Sequence, residues 1–158
     1  MRLKKASFGA GAVLAVAALL SGTATASATV ESKSQRFANW TYQQCIQGDA
    51  ANANLYPRAC STSLRLQFWT WSGVFNGNTK LVNLASGRCL DSNDKGDVYA
   101  LPCNSSSFYQ VWQVHLPSGG TPWIVNAQTH RNLEQEANGT YRTMPPDQSN
   151  LRQRFTVG

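Results

Sequence analysis

Two groups of closely spaced carboxylates, Asp91, Asp94 and Asp97, then Glu134 and Glu136, are the first residues here whose types could do chemistry. Paired carboxylates hydrolyse glycosides when they oppose each other across a cleft, one as acid and the other as base or nucleophile. These lie instead on short segments rich in turn residues, with Lys95 among them, which is the pattern of a solvated turn. The two histidines, His115 and His130, stand in no nucleophile or metal spacing, and the sequence has no Gly-x-Ser-x-Gly elbow. Cys45, Cys60, Cys89 and Cys103 lack the paired Cys-x-x-Cys arms of a zinc site, and both histidines lie far downstream. The expectation is a protein that is not an enzyme and carries neither metal nor cofactor.

The elements that position these residues follow from a recurrence. Gln67-Phe68-Trp69 lies 43 residues before Gln110-Val111-Trp112, and Gln153-Arg154-Phe155 lies 43 residues after it. A period of this length marks a fold built from copies of one unit that cannot bury its apolar face alone. The copies run over 37–71, 81–114 and 123–157, within one pseudo-threefold domain at 37–158. The second and third align without a gap: Val82-Asn83 with Val125-Asn126, Arg88 with Arg131, Leu90-Asp91 with Leu133-Glu134, Gly96 with Gly139. The first needs one inserted residue, after which Asn39 matches Asn83 and Leu55 matches Val98. Short apolar segments broken by Ser86-Gly87, Asp94-Lys95-Gly96, Asn138-Gly139 and Pro145-Pro146 predict an all-β structure with hairpins.

The N-terminus carries Arg2, Lys4 and Lys5, an apolar run from Phe8 to Leu20, and small residues ending at Ala28. That is the pattern of a secretory signal over 1–28, alanine-rich in the bacterial style and too short to span a membrane. Losing 28 of 158 residues leaves 130, and takes three of the 14 basic residues and none of the 8 acidic ones, so the formal charge falls from +6 to +3. The basic excess is therefore mostly the signal, and neither nucleic acid nor membrane insertion is expected. Residues 29–36 are polar and are read as a flexible N-terminal arm, or else as an arm that pairs with a partner's sheet edge. Export makes two disulfides of the four cysteines. The repeat selects Cys45–Cys60 and Cys89–Cys103, each expected to contribute roughly 3 kcal/mol.

Cys89-Leu90-Asp91, Gly96, Pro102-Cys103 and Gln110-x-Trp112 occur in an order that resembles the ricin B-type lectin repeat, the QxW β-trefoil. The likeness spans residues 37–157. It implies twelve strands, four from each copy, in a six-stranded barrel closed by three hairpins. Trp69, Trp112 and Phe155 are expected in the shared core, and Gln67, Gln110 and Gln153 are expected to satisfy backbone groups at the turns.

The resemblance also implies a shallow sugar pocket on each copy. It consists of an Asp two residues after the first Cys, an aromatic platform two before the second Cys, and an Asn just before the Gln. The second copy has Asp91 in place, with Leu101 at the platform position and Tyr109 at the Asn position. The first has Gln47, Arg58 and Leu66, and the third Glu134, Met144 and Arg152. A residual sugar site is expected around Asp91, Tyr99, Leu101, Tyr109 and Gln110, with Tyr99 lending a stacking face, and a weaker candidate at Glu134 and Tyr141. The alternative role for Asp91 is to cap backbone amides beside a disulfide and a turn. Arginines outnumber the three lysines beyond the signal, and arginine suits interface contacts. With no pocket matching the full pattern, the favoured function is a secreted protein-binding adaptor or accessory subunit, with a glycan-binding lectin as the alternative.

Overall fold

The computed structural model describes residues 32–158. The expected signal and residues 29–31 lie outside the described residues. The first copy supplies β2 (Phe37–Asn39), β3 (Gln44–Gly48), β4 (Leu55–Ala59) and β5 (Trp69–Trp71), preceded by β1 (Lys33–Gln35). The second, preceded by β6 (Asn78–Thr79), supplies β7 (Val82–Asn83), β8 (Cys89–Ser92), β9 (Val98–Leu101) and β10 (Trp112–His115). The third supplies β11 (Trp123–Asn126), β12 (Asn132–Gln135), β13 (Tyr141–Met144) and β14 (Phe155–Val157). All neighbours are antiparallel, in sheets ordered β1-β5-β7-β8-β9, β13-β12-β11-β10-β6 and β14-β2-β3-β4.

Each sheet joins the last strand of one copy to the first of the next: β5 to β7, β10 to β11, and β14 back to β2. The ring closes through β1 on β5, β6 on β10, and a bond from Phe155 N to Pro122 O. These pairings form the barrel of a β-trefoil, and β3–β4, β8–β9 and β12–β13 are its three hairpins. The twelve strands implied by the resemblance are present, with β1 and β6 as the leading halves of two barrel staves. Tight turns let the hairpins abut. Gly96, at φ +88°, accepts from Thr143 N at 2.8 Å, and a Cβ there would lie 2.7 Å from Thr143 O.

The reading of 29–36 as a flexible arm does not hold for its second half. Lys33, Ser34 and Gln35 pair in register with Trp71, Thr70 and Trp69. The Ser34 and Thr70 hydroxyls are bonded at 2.8 Å, and Trp71 Nε1 donates to Gln35 Oε1. Arg36 and Gly158 exchange backbone bonds in both directions, tying the first strand to the end of the chain. A polar segment is held here by ladder bonds rather than by apolar burial, so composition alone did not reveal it.

Strand alternation sends Phe37, Trp69, Trp71, Trp112, Val114, Ile124 and Phe155 into one core with Leu81 just before β7, and with Ile46, Leu90 and Leu133 from the hairpin side. Trp69, Trp112 and Phe155 are among its largest fully buried side chains, as the repeat predicts. Trp69 Nε1 donates to Ile46 O and Trp112 Nε1 to Leu90 O, so each indole fixes its own hairpin to the barrel. Both expected disulfides, Cys45–Cys60 and Cys89–Cys103, are formed.

Candidate functional site

The Gln of each motif does the same work three times. Gln67, Gln110 and Gln153 accept through Oε1 from the backbone N–H of Ser61, Asn104 and Asp147. Their Nε2 atoms donate to the carbonyls of Ala59, Pro102 and Pro145. The second Nε2 hydrogen goes to the residue at the acidic position of each pocket: Gln47 Oε1, Asp91 Oδ2 or Glu134 Oε2. A buried amide with both donor and acceptor is the side chain that meets all these demands at once.

Asp91 faces Tyr99 across the β8–β9 ladder, and Leu101, two residues on, shares that face. Only 6 % exposed, Asp91 is not part of a solvated turn, and it accepts from a side-chain amide rather than capping backbone N–H groups. No group among the described residues donates to its Oδ1. Tyr99 is half-buried, and its hydroxyl donates to Ser92 O at 3.1 Å. Burial pushes its phenol above the ordinary value, with the Asp91 and Asp97 carboxylates adding to the effect. Leu101 is exposed and offers no ring. Tyr109 donates to Asp94 at 2.5 Å, and that bond, with some desolvation, pushes its phenol up. Tyr109 thereby serves the hairpin turn, and Asp91 receives no donor from the Asn position. Lys80, which the motif reading did not single out, donates to Asn104 O and Gln110 Oε1 beside this pocket.

In the third copy, Glu134 is occupied from within the protein. Arg152 lies 2.8 Å from Glu134 Oε1, while Asn150 and Gln153 each donate to Oε2 at 3.0 Å. Arg152, at the position where the pattern has Asn, therefore neutralises the carboxylate that would hold a sugar. Tyr141 cannot lend this pocket a ring. It stands three residues before Met144, not two, so alternation turns it inward, and it is 4 % exposed within the core. In the first copy Arg58 stacks over Tyr56, 5.3 Å from the ring centroid.

Burial also pushes the Tyr141 phenol far above its ordinary value of 10.0. A folded-state pKa above the unfolded one gives stability that is complete below about pH 10 and lost as pH rises beyond it. Thermal melts of wild type and Tyr141→Phe should show the variant lower by about 1 kcal/mol near neutrality, for loss of the bond to Gln135. At about pH 11 the gap should close or reverse. An unchanged gap would count against the buried phenol as the alkaline weak point.

The remaining chemical residues are dispersed. Arg142 donates to Lys95 O and lies 4.0 Å from Asp97. His115 stacks on Trp123, whose ring also carries Arg154, 4.1 Å from its centroid. His130 occupies a left-handed turn position, φ 57°, that matches Gln43 and Gly87. Each turn is opened by an Asn whose role was not legible from its recurrence alone. Asn39, Asn83 and Asn126 donate through Nδ2 to Arg152 O, Leu66 O and Tyr109 O, the carbonyls just before the three motif glutamines. These bonds latch each copy to its neighbour. Among the described residues no group of three His, Cys, Asp or Glu side chains is placed to hold a metal, and no helix is long and apolar enough to cross a membrane.

The family model described as ricin-type β-trefoil lectin domain-like matches residues 65–153, more than half of the chain. The chain belongs to this family. Among solved structures it is similar to a designed three-fold symmetric protein, ThreeFoil, at 16 % identity and a TM-score of 0.67, covering 78 % of this chain and 96 % of that one. It is similar, with the same TM-score and the same 78 % of this chain, to two clostridial proteins. One is a GlcNAcα1-4Gal-releasing endo-β-galactosidase from Clostridium perfringens, at 13 % identity and 32 % of that chain. The other is an exo-β-1,3-galactanase from Clostridium thermocellum, at 20 % identity and 29 % of that chain. This chain thus spans about a third of either enzyme, and at these identities the likeness is one of fold. No curated protein matches it by sequence.

Proposed function

We propose that the chain is a secreted, non-catalytic binding module that acts as an adaptor or accessory subunit, holding another extracellular protein. The supporting observation is a hollow of about 410 Å³ where the first and third copies meet the segment that links the second to the third, lined by Trp40, Pro117, Thr121, Leu151 and Arg154 among others. Trp40 is 44 % exposed and Leu151 53 %. An exposed Trp beside an Arg pairs two of the residue types that dominate interface hot spots. The acidic positions of the sugar pattern, by contrast, are engaged by the protein's own Gln67, Gln110, Gln153 and Arg152.

Affinity purification of the tagged protein from its producer's culture medium tests this reading. A stoichiometric protein should be retained by wild type and by Asp91→Ala, and weakened about 30-fold by Trp40→Ala. Recovery of no protein, or equal recovery with Trp40→Ala, would sink it. A second reading keeps a sugar at Asp91, supported by the Oδ1 atom to which no described residue donates and by the half-buried ring of Tyr99 opposite. Elution from immobilised galactosides that disappears in Asp91→Ala would favour that reading instead.

A further inference from the structure

A cavity of about 330 Å³ opens where the three hairpins meet, and of its lining only Tyr99 enters either reading above. Its lining comes from equivalent positions of the three copies: Asn54, Leu55 and Tyr56 in the first, Val98 and Tyr99 in the second, Thr140 and Tyr141 in the third. Leu55, Val98 and Tyr141 stand 43 residues apart in turn, so they surround the pseudo-threefold axis. Tyr141 is buried and the other two pack on the core, making the floor. Tyr56 and Tyr99, again 43 apart, are half-buried on the walls, and Asn54 and Thr140 are exposed at the rim. The third wall position, Arg142, is drawn away to Lys95 O and Asp97. Gly139 also lines the cavity, and the nearest atom to a Cβ built there is Pro57 Cγ, 3.6 Å away.

The lining chemistry defines a ligand. None of its lining residues is Asp, Glu, Lys, Arg or His. The charges nearest Tyr56 are Asp49, which accepts from its hydroxyl at 3.5 Å, and Arg58 over its ring, an opposed pair that offers an ionic ligand no net counter-charge for its lost hydration. It combines tyrosine rings with hydroxyl and amide groups that retain hydrogen-bonding capacity. Tyr99 donates to Ser92 O, leaving its oxygen's lone pairs, and Tyr56 accepts from Asn54 Nδ2 at 3.2 Å. Behind Val98, its cross-strand partner Ser92 is buried, and its hydroxyl has no partner among the described residues. The volume sits at the low end of small-ligand sites, about 300–1,000 Å³, and suits one six-membered ring. From this geometry we infer that the axial cavity binds a single neutral pyranose residue, its apolar face against a tyrosine and its hydroxyls toward the polar rim. This site shares Tyr99 with the Asp91 pocket but contains neither Asp91 nor Gln110, and it does not rest on the adaptor reading.

The test is an amide chemical-shift titration of the protein purified from culture medium, with D-galactose, D-glucose, D-mannose and N-acetyl-D-glucosamine. At least one sugar should shift the amides of residues 53–56, 98–99 and 139–141 saturably. Asn54→Trp, which fills the mouth, should abolish the response at an unchanged melting temperature, with Thr140→Trp as a second plug should the first fail to fold. Tyr56→Ala should weaken binding about tenfold, and Asp91→Ala should leave it unchanged. Absence of saturable shifts with all of these sugars would overturn the inference. So would shifts centred on Asp91 and Gln110 that survive the filled mouth and vanish in Asp91→Ala.

Discussion

Trp112→Ala is expected to lower the stability of the protein by about 3–5 kcal/mol, a large share of the roughly 5–15 kcal/mol that holds a domain folded. The indole is fully buried, so its removal leaves a cavity as well as forfeiting the transfer of a large ring from water. It also donates to Leu90 O, and losing that donor loosens the link between barrel and hairpin in the second copy. Phe155 is the internal control, since it fills the same place in the third copy without an N–H. Phe155→Ala should fall toward the lower end of the same range, and Trp112→Phe should cost less than either. Urea unfolding of the three variants measures this. A cost below about 1 kcal/mol for Trp112→Ala would mean that the copies do not share one core.

The fold was legible because the strongest signals are local and repeated. A 43-residue spacing of Gln-x-Trp and two cysteine pairs in matching register leave few architectures. The strand at Lys33–Gln35 was not legible from composition, because it is polar and held through backbone bonds. Its trace was the register, in which Gln35 precedes Thr79 by 44 residues just as Asn39 precedes Asn83. The site was readable at the level of which residue types stand where, and less so in what they face. Tyr99 stands two residues before Leu101 but Tyr141 three before Met144, and that odd step puts Tyr141 on the opposite face of its strand, in the core. Engagement of Glu134 could have been anticipated. Only in the third copy does the position before the motif Gln carry a cation, Arg152, and only there is the acidic position a Glu. Burial of Asp91 depends on Gln110 arriving from 19 residues away, and the axial cavity depends on three hairpins meeting. Neither relation lies within one segment of sequence.

Reduction of both disulfides is expected to remove about 6 kcal/mol, roughly 3 from each loop, and to do so unevenly over the molecule. The bridges close loops with separations of 15 and 14 residues, clamping β3 to the end of β4 and β8 to the segment after β9. Cys60 and Cys103 belong to exposed positions, so a reductant can reach both bridges from solvent. The third copy has Asn132 and Pro146 where the second has its cysteines, and a polar network does the corresponding work. Asn132 Nδ2 donates to Gln153 Oε1, and Gln153, Asn150 and Arg152 converge on Glu134. Those contacts do not depend on redox state. Hydrogen exchange before and after reduction should show protection falling most in β3–β4 and β8–β9 and least in β12–β13, alongside a lower urea midpoint. Equal loss in all three hairpins would show instead that the trefoil opens as one unit, with the third hairpin relying on its neighbours' bridges as much as on its own side chains.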